Sequence, residues 1–398
     1  MSLDFTPPEE ERLIRDSVRS MLQKYVPRRQ EIRRIMNTEG VFPEELWKDF
    51  ADVGLMGCLV PPEYGGTGAG LLPLAYGFEE IVAQGFSPGL LLVTAMDSAC
   101  LVKHASEDVK RRILPSVVDG STVLCFAVTE PNAGTNTFRL ETSAKRNGDS
   151  YRINGQKVFI TGVDQSDYML LVARTTSVEE LKEQGKPKVF GISLFLVDTK
   201  SKGISMQPIP IPASDGHKQF QLFFDDVEVP ACNLVGEEDQ GAFVMFNSLN
   251  PERILTGAIC TGMAQQALAK AVEYSKQRVV FGDKPIGTYQ GIAHPMAEVK
   301  INLEAAKLMT YKAAWAYDQG LDPAQVGSLA NMAKFLAADL AIRAADVAIE
   351  VHGGNGFSDE YGLIQLWNGA RILKTAPVSR EMILNFVAEQ DLGLPRSY

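Results

Sequence analysis

The sequence has few of the residues on which metal and disulfide chemistry depend. Its 398 residues include four histidines and five cysteines. The histidines show no metal-ligand spacing and the cysteines form no CxxC pair, so we expect no metal site. The cysteines are odd in number and widely separated, which argues against a disulfide framework and favours reduced, mostly buried thiols.

Basic residues are also scarce relative to acidic ones. The chain has 39 Lys and Arg against 49 Asp and Glu, a formal charge of -10, which works against unspecific binding to nucleic acid or an anionic membrane. No apolar run reaches the roughly 18 residues that indicate a membrane span. Because the first residues, MSLDFTPPEEERL, are acidic and contain proline, we expect a cytoplasmic protein without membrane insertion.

What the chain does have is a change of pattern along its length. Apolar residues recur at helical spacing from residue 9 to about 119, which predicts a helical region. Beyond Gly241 the sequence is Ala-rich, and its periodicity predicts three long helices over 253–280, 296–317 and 324–351. Such helices with apolar faces indicate a bundle.

The middle of the chain has the pattern of strands. The dipeptides Asn147-Gly148 and Asn154-Gly155 are hairpin-type turn signals, and short apolar runs lie around them. The predicted strands cover 123–128, 150–153, 168–173, 189–197 and 220–224. The sequence thus predicts an α+β, mainly α fold: an N-terminal α-helical domain over 1–120, a mainly antiparallel β domain over 121–235 and a C-terminal helical bundle over 236–398.

Six phrases within this order resemble the acyl-CoA dehydrogenase family across nearly the whole chain. They are PEYGG at 62–66, FAVTEPNAGTNT at 126–137, INGQKVFITG at 153–162, FDDVEVP at 224–230, QRVVFGDKPIGTYQ at 277–290 and VHGGNGF at 351–357. The resemblance implies an α domain, a small β barrel and a four-helix bundle, with FAD held between barrel and bundle. It also implies an acyl-CoA substrate, an electron-transferring flavoprotein as electron acceptor and a homotetramer.

The phrases also suit a flavin physically. Pro131 and Gly134 interrupt the strand and leave backbone N–H groups, with the hydroxyls of Thr129 and Thr135, available to a polar ring edge or to phosphates. Phe159 is suited to cover an apolar flavin face. The resemblance implies cofactor contacts at Phe126, Val128, Thr129, Gly134, Thr135, Phe159, Thr161, Arg278, Phe281, Gln290, Glu350, Gly353, Gly354 and Ser379. It implies substrate contacts at Thr135 and Arg253.

Several of these positions have an ordinary alternative. Pro131 to Gly134 is also a plain turn, alternating Phe and Thr are typical of core and surface strand positions, and Arg278 is also a solvated helix residue. Gly353 and Gly354 close a long predicted helix and are also an ordinary C-cap. In the family, Arg278 would contact the FAD pyrophosphate of a neighbouring subunit. Glu350 stands where the family usually has Gln, and an acid would repel a pyrophosphate there.

The chemistry requires a carboxylate that removes the proton next to the thioester carbonyl. Most family members carry it in a C-terminal EGT phrase, where this chain has Pro377, Val378 and Ser379. A minority carry it on the first bundle helix, just before an Arg, and LNPERI at 249–254 fits that pattern. We therefore predict Glu252 as the base, and Arg253 as the neighbouring Arg that supports the CoA end of the substrate and the helix start. The alternative is a first-turn Glu that interacts with the helix dipole, after Pro251.

Asp97 is a second candidate. It is the one charge in the apolar run LLLVTAMDSACLV, which resembles a family helix that lines the acyl pocket, although lone acids in such runs are also commonly capped or surface residues. Facing the substrate, Asp97 would bind a polar acyl group or act as base at a remote carbon in a cyclic acyl-CoA 1,4-dehydrogenase. Two further alternatives are a nitroalkane-oxidase-like enzyme and a non-catalytic flavoprotein that binds DNA or a partner, the DNA role being disfavoured by the acidic charge balance.

Overall fold

The computed structural model describes residues 9–211 and 216–396. The first eight residues, on which part of the prediction about location rests, lie outside this range. The described chain divides into two compact units. We call residues 34–69 and 89–252 the sheet unit, and the described residues of 1–33, 70–88 and 253–398 the helical unit.

The helices predicted from periodicity are present. They are α1 Glu9–Gln23, α2 Arg29–Glu39, α3 Glu44–Asp52, α4 Leu71–Ala83, α5 Leu91–His104, α6 Glu107–Val118, α7 Val178–Glu183, α8 Gly241–Gln277, α9 Gln290–Asp318, α10 Pro323–His352, α11 Leu363–Thr375 and α12 Arg380–Phe386. The fold class is confirmed, with helices before and after a region of strands. No described helix has both the length and the apolar character needed to cross a membrane.

Helix α10 shows how the bundle sequence specifies its elements. Asp322 caps the helix by accepting hydrogen bonds from the N–H groups of Ala324 (3.0 Å) and Gln325 (3.2 Å), and Pro323 occupies the first turn. Gly353 ends it with φ 57°, a conformation that suits glycine. Small buried alanines along α10 let α9 and α11 pack closely against it, which explains the Ala-rich pattern.

The described residues of the sheet unit form an eight-stranded sheet. Its strands are β1 Leu124–Ala127, β2 Ser143–Asn147, β3 Ser150–Thr161, β4 Tyr168–Arg174, β5 Ile192–Asp198, β6 Ile204–Ile209, β7 Gln219–Pro230 and β8 Leu234–Val235. The order is β6-β7-β3-β2-β4-β5-β8, and β1 pairs with β4. The ladders are antiparallel except those of β4 with β1 and β2, so the predicted mainly antiparallel sheet is confirmed.

Both faces of the central strands are buried. On β4, Leu170 and Val172 join a core that includes side chains of α5 and α6, whereas Met169 and Leu171 point into a second core made largely by strands. This alternation follows from the two-residue period of a strand. The sheet therefore encloses one core and supports another under the helices.

Two turn signals had different outcomes. Asn147-Gly148 ends β2 and begins the hairpin to β3 as predicted. Asn154-Gly155 is not a turn, because it lies inside β3 at a register shift against β7. Gly155 has φ 148°, and a Cβ there would lie 2.6 Å from the Thr142 Cα atom, so this glycine serves a bulge and a close approach to the backbone just before β2.

Some strand limits also differ from the prediction. The strand predicted from residue 189 begins at Ile192, β7 extends well beyond 220–224, and β6 was not predicted. The residues before Ile192 instead form a segment whose carbonyls, including that of Phe190, accept hydrogen bonds from the Arg174 guanidinium.

All five cysteines are free thiols. Cys58, Cys100, Cys125 and Cys260 are buried and Cys232 is exposed, which confirms the prediction of mostly buried thiols. Within residues 9–211 and 216–396, no cluster of three His, Cys, Asp or Glu side chains is arranged to hold a metal ion.

Candidate active site

Phe159 lies in a bulge of strand β3. The pairing of β3 with β7 shifts register between Lys157 and Ile160, both of which are buried. The extra residue lets Val158 and Phe159 both lie away from the core, and Phe159 is 56% exposed with φ 57°. A bulky residue rarely adopts this left-handed conformation. The strand thus presents an aromatic ring outward, rather than placing it in the core.

The segment after β1 lies beside this bulge. The Val158 N–H donates to the Thr129 carbonyl oxygen at 2.9 Å, and the backbones of Glu130 and Ala133 exchange two hydrogen bonds that close a turn. Gly134 is exposed, and no atom lies within 4 Å of the position a Cβ would take. The turn therefore leaves open backbone next to the exposed ring.

Further predicted residues flank the bulge. Phe126 and Val128, on and just after β1, are half-buried against the core beneath the helices. The Thr161 hydroxyl exchanges hydrogen bonds with the Gln219 side chain at 2.9–3.1 Å, which fixes the orientation of that hydroxyl. The sheet unit therefore brings together seven predicted cofactor positions: Phe126, Val128, Thr129, Gly134, Thr135, Phe159 and Thr161.

Sequence reasoning missed a buried ion pair behind these residues. Lys157 is fully buried, and its Nζ donates to the Glu130 Oε1 atom at 2.8 Å and to the Val128 carbonyl at 2.9 Å. Burial is the main cause that lowers the pKa of Lys157 to about 8, against the opposing attraction of Glu130. The sequence signal that could have revealed it is Lys157 itself, a charged residue at an inward-facing position of the strand phrase INGQKVFITG.

Asp97 lies on α5, which is tied to the strand and helix on either side of it. Thr94 exchanges hydrogen bonds with the Leu124 backbone at 3.2 and 3.3 Å, and Lys103 donates to the Asn247 side chain on α8 at 2.8 Å. Asp97 itself is fully buried, and neither carboxyl oxygen has a hydrogen-bond partner in the described part of the chain.

The two candidate acids act on each other electrostatically. Burial raises the pKa of Asp97 well above its usual value, and the negative charge of Glu252 raises it further. The protonated form of Asp97 is therefore favoured, while Glu252 is half-buried. The two acids thus differ in exposure, and Glu252 is the more accessible of them.

The structure corrects the alternative explanation of Glu252. Helix α8 begins at Gly241, so Glu252 lies in the helix interior and not in the first turn. Pro251 is inside the helix, where it removes the N–H that would bond the Asn247 carbonyl. The helix start therefore accounts for neither Glu252 nor Arg253, and the part of the Arg253 prediction that concerned the helix start is wrong.

The remaining candidates belong to the helical unit. Arg278 follows α8 directly, its carbonyl accepts from the Ile286 N–H at 2.8 Å, and the Tyr289 hydroxyl donates to the Phe281 carbonyl at 3.1 Å. Phe281 is 83% exposed. One loop therefore carries Arg278 and Phe281 and leads directly to Gln290, the first residue of α9.

The end of α10 lies beside the end of α8. His352 stacks on Tyr274 with ring centroids 4.2 Å apart, and the Asn355 amide donates to the Tyr274 hydroxyl at 3.1 Å. Near this contact Glu350, Gly353 and Gly354 are exposed, and the two glycines have no atom within 4 Å of a would-be Cβ. The predicted C-cap at Gly353 is confirmed.

Ser379 and Arg253 lie outside these two loops, at the start of one helix and inside another. Ser379 is the N-cap of α12, and its hydroxyl oxygen accepts from the Met382 N–H at 3.3 Å. Arg253 is half-buried within α8. Their predicted contacts with FAD and substrate, like those of the other cofactor positions, stay predictions.

These surfaces fit a flavin. An isoalloxazine ring needs an apolar cover on its face and hydrogen-bond donors at its polar edge, and the bulge offers an outward Phe159 ring, the Thr161 hydroxyl and open backbone at Gly134. Such surfaces on the sheet unit are those expected of a flavin-dependent oxidoreductase.

The chain belongs to the acyl-CoA dehydrogenase family. The N-terminal domain of acyl-CoA dehydrogenases matches residues 8–121 of this chain, the middle domain matches residues 125–227, and the C-terminal domain matches residues 239–392. Acyl-CoA dehydrogenase FadE12 of Mycobacterium tuberculosis is 44% identical over 89% of each chain. The cyclohex-1-ene-1-carbonyl-CoA dehydrogenase of Geobacter metallireducens is 34% identical over 92% of this chain and 93% of its own.

A solved structure supports the cofactor. The FAD complex of PigA has a TM-score of 0.88 and 25% identity, covering 98% of this chain and 100% of its own. The protein is therefore an oxidoreductase of this family whose cofactor is FAD.

Proposed function

We propose that the protein removes two hydrogens from the α and β carbons of an acyl-CoA thioester and forms the 2-enoyl-CoA. The Glu252 carboxylate takes the α-proton, and FAD, when bound, accepts the β-hydride. The observation that carries the proposal is the difference between the two acids: Asp97 is fully buried, with its pKa raised by burial and by Glu252, whereas Glu252 is half-buried. Pro377 at the position of the more common base cannot take a proton.

The reaction also needs Glu252 to be held in place. Its position inside a long helix restricts the backbone beneath it, and a base that is fixed before the substrate arrives gains rate by orientation. Arg253 is the neighbouring cation that we assign to the CoA end of the substrate.

Anaerobic addition of straight, branched and cyclic acyl-CoA thioesters to the FAD-loaded protein tests this function. At least one thioester should bleach the flavin, and the product should be two mass units lighter with its new double bond between C2 and C3. Absence of bleaching with every thioester would support a non-catalytic flavoprotein instead.

A second function is favoured by Asp97. A fully buried carboxyl whose oxygens have no hydrogen-bond partner within residues 9–211 and 216–396 is costly to keep, and it would be explained by a substrate that uses it. Asp97 would then be the base at a remote carbon of a cyclic acyl-CoA, in a 1,4-dehydrogenation. The Geobacter relative is named for a cyclic acyl-CoA, cyclohex-1-ene-1-carbonyl-CoA, and a conjugated diene from a cyclic monoenoyl-CoA would establish this second function in the present protein.

We assign the cofactor contacts to the residues predicted from sequence. In the sheet unit, Phe159 covers the ring, and Thr129, Thr135 and Thr161 meet its polar edge or the phosphates. In the helical unit, Arg278 is assigned to the pyrophosphate. Replacing Arg278 with Gln should weaken FAD binding to the apo-protein, whereas the same change at exposed Arg371 should not.

The electron acceptor and the assembly follow from family membership. We propose an electron-transferring flavoprotein as acceptor and a homotetramer as the assembly. The exposed side chains Ile301, Leu308 and Trp315 support self-association, since they recur every seven residues on α9 and are 72%, 53% and 48% exposed. Light scattering should give the mass of four chains, and Ile301→Asp should lower it. The buried free thiols support a cytoplasmic location.

A further inference from the structure

The Lys157–Glu130 ion pair is buried, where keeping two charges away from water costs free energy. Both side chains are buried, at 0% and 6% exposure, and a buried ion pair is commonly no more stabilising than apolar residues of the same size. A methionine at 157 would fill the space without a charge. The pair therefore calls for an explanation beyond packing.

The ion pair also makes hydrogen bonds to backbone groups, some of them next to residues that we assign to the flavin. Lys157 donates to the Val128 carbonyl, which directly precedes Thr129. The two carboxylate oxygens of Glu130 accept from the N–H groups of Glu141 at 2.7 Å and Thr142 at 3.0 Å. One ion pair thus joins the exit of β1, the approach to β2 and the bulge of β3.

The bulge needs such support. Phe159 has φ 57°, and a non-glycine residue in this region persists where its surroundings impose the conformation. Lys157 is the last residue of β3 in regular register before the shift. The N–H of Val158, the next residue, is bonded to the Thr129 carbonyl. The ion pair therefore lies at the base of the strained segment.

We propose that Lys157 and Glu130 are positioning residues for FAD, which hold the Val128–Thr129 backbone and the β3 bulge so that Phe159 projects outward. This inference rests on the proposed contacts of Phe159 and Thr129 with FAD. Neither Lys157 nor Glu130 touches the cofactor itself, and both act through the backbone that they fix.

The test is FAD binding to apo-protein. Lys157→Met should raise the dissociation constant measured by flavin fluorescence about tenfold or more, and the visible circular dichroism of bound FAD should change because the Phe159 ring loses its fixed orientation. The matched control is Lys307→Met, which breaks the 3.0 Å ion pair with buried Glu79 in the helical unit. It should lower the melting temperature and leave FAD affinity within twofold.

The double variant Lys157→Met/Glu130→Gln separates positioning from stability. Removing both charges eliminates the uncompensated carboxylate left by Lys157→Met, so the melting temperature of the apo-protein should recover. FAD affinity should stay low, because neither bond to the bulge is restored. Recovery of affinity together with stability, or a Lys157→Met dissociation constant within twofold of wild type, would overturn the proposal.

Glu130→Gln alone covers the case in which Lys157→Met does not fold. It keeps the size of the side chain and an oxygen that accepts from the backbone, so a folded apo-protein is expected. Its FAD dissociation constant should rise about threefold or more, and unchanged affinity in this folded variant also contradicts the proposal. If bleaching by acyl-CoA fails in wild type while these FAD affinities behave as expected, the proposed dehydrogenation fails and the positioning role stands.

Discussion

The conformation of Phe159 predicts an unusual order of stability for two small replacements. At φ 57° an alanine keeps the left-handed backbone penalty of about 1–2 kcal/mol, which glycine does not pay. Glycine instead costs about 0.5–1 kcal/mol in chain entropy. Because both changes remove the same half-exposed ring, Phe159→Gly should be more stable than Phe159→Ala by roughly 0.5–1 kcal/mol.

Thermal unfolding of the apo-proteins measures this difference. A difference of about 1 kcal/mol in the free energy of unfolding corresponds to about 2–4 °C in melting temperature for a unit of about 200 residues, the size of the sheet unit. Val158 is the control, since it is adjacent in β3 and has no positive φ, and there alanine should be the more stable replacement. Equal or reversed stability at 159 would refute the claim that the bulge is strained. Both Phe159 variants should bind FAD more weakly, because both lack the ring.

Two further predictions concern buried charge. Glu79 is 2% exposed and is bonded to Lys307 (3.0 Å), Thr261 (2.9 Å) and Tyr311 (2.9 Å). Glu79→Gln should therefore destabilise the chain by about 3–5 kcal/mol in a thermal melt, with exposed Glu273→Gln as the neutral control, and a loss below about 1 kcal/mol would contradict this role. Because the pKa of Asp97 is raised by burial and then by Glu252, the folded chain keeps a proton that the unfolded chain releases above about pH 4. The contribution of Asp97 to the stability of the wild type should thus fall as pH rises above about 4. Asp97→Asn should remove this loss, so that the melting temperature of the variant minus that of the wild type increases from pH 4 to pH 7; parallel curves for wild type and Asp97→Asn would show that Asp97 is ionised when folded.

Much of the fold follows from local pattern. The Ala-rich helical periodicity predicted α9 and α10, and Asn147-Gly148 predicted a hairpin, because a helix or a tight turn is specified largely by residues close in sequence. Asn154-Gly155 misled for the opposite reason. Its glycine is required by Thr142, the residue before the neighbouring strand β2, a contact that the local sequence does not contain.

The candidate site also combines features that the local sequence predicts with features that depend on distant residues. The flavin-type phrases and Glu252 could be selected by residue type and family resemblance. The buried ion pair joins Lys157 to Glu130, 27 positions earlier in the sequence, and the bulge at Phe159 depends on the pairing of β3 with β7. Neither could therefore be predicted from the sequence of a single strand. Pro251 suggested a helix start because proline favours the first turn, whereas α8 accommodates it internally.

The central claim is that Glu252 takes the α-proton. We would mix FAD-loaded wild type, Glu252→Gln, Asp97→Asn and the control Glu273→Gln anaerobically with an acyl-CoA that bleaches the wild type, and follow the flavin absorbance in a single turnover. Glu252→Gln should lose bleaching by several orders of magnitude while Asp97→Asn and Glu273→Gln retain it. Bleaching that persists in Glu252→Gln and disappears in Asp97→Asn would contradict the account and make Asp97 the base.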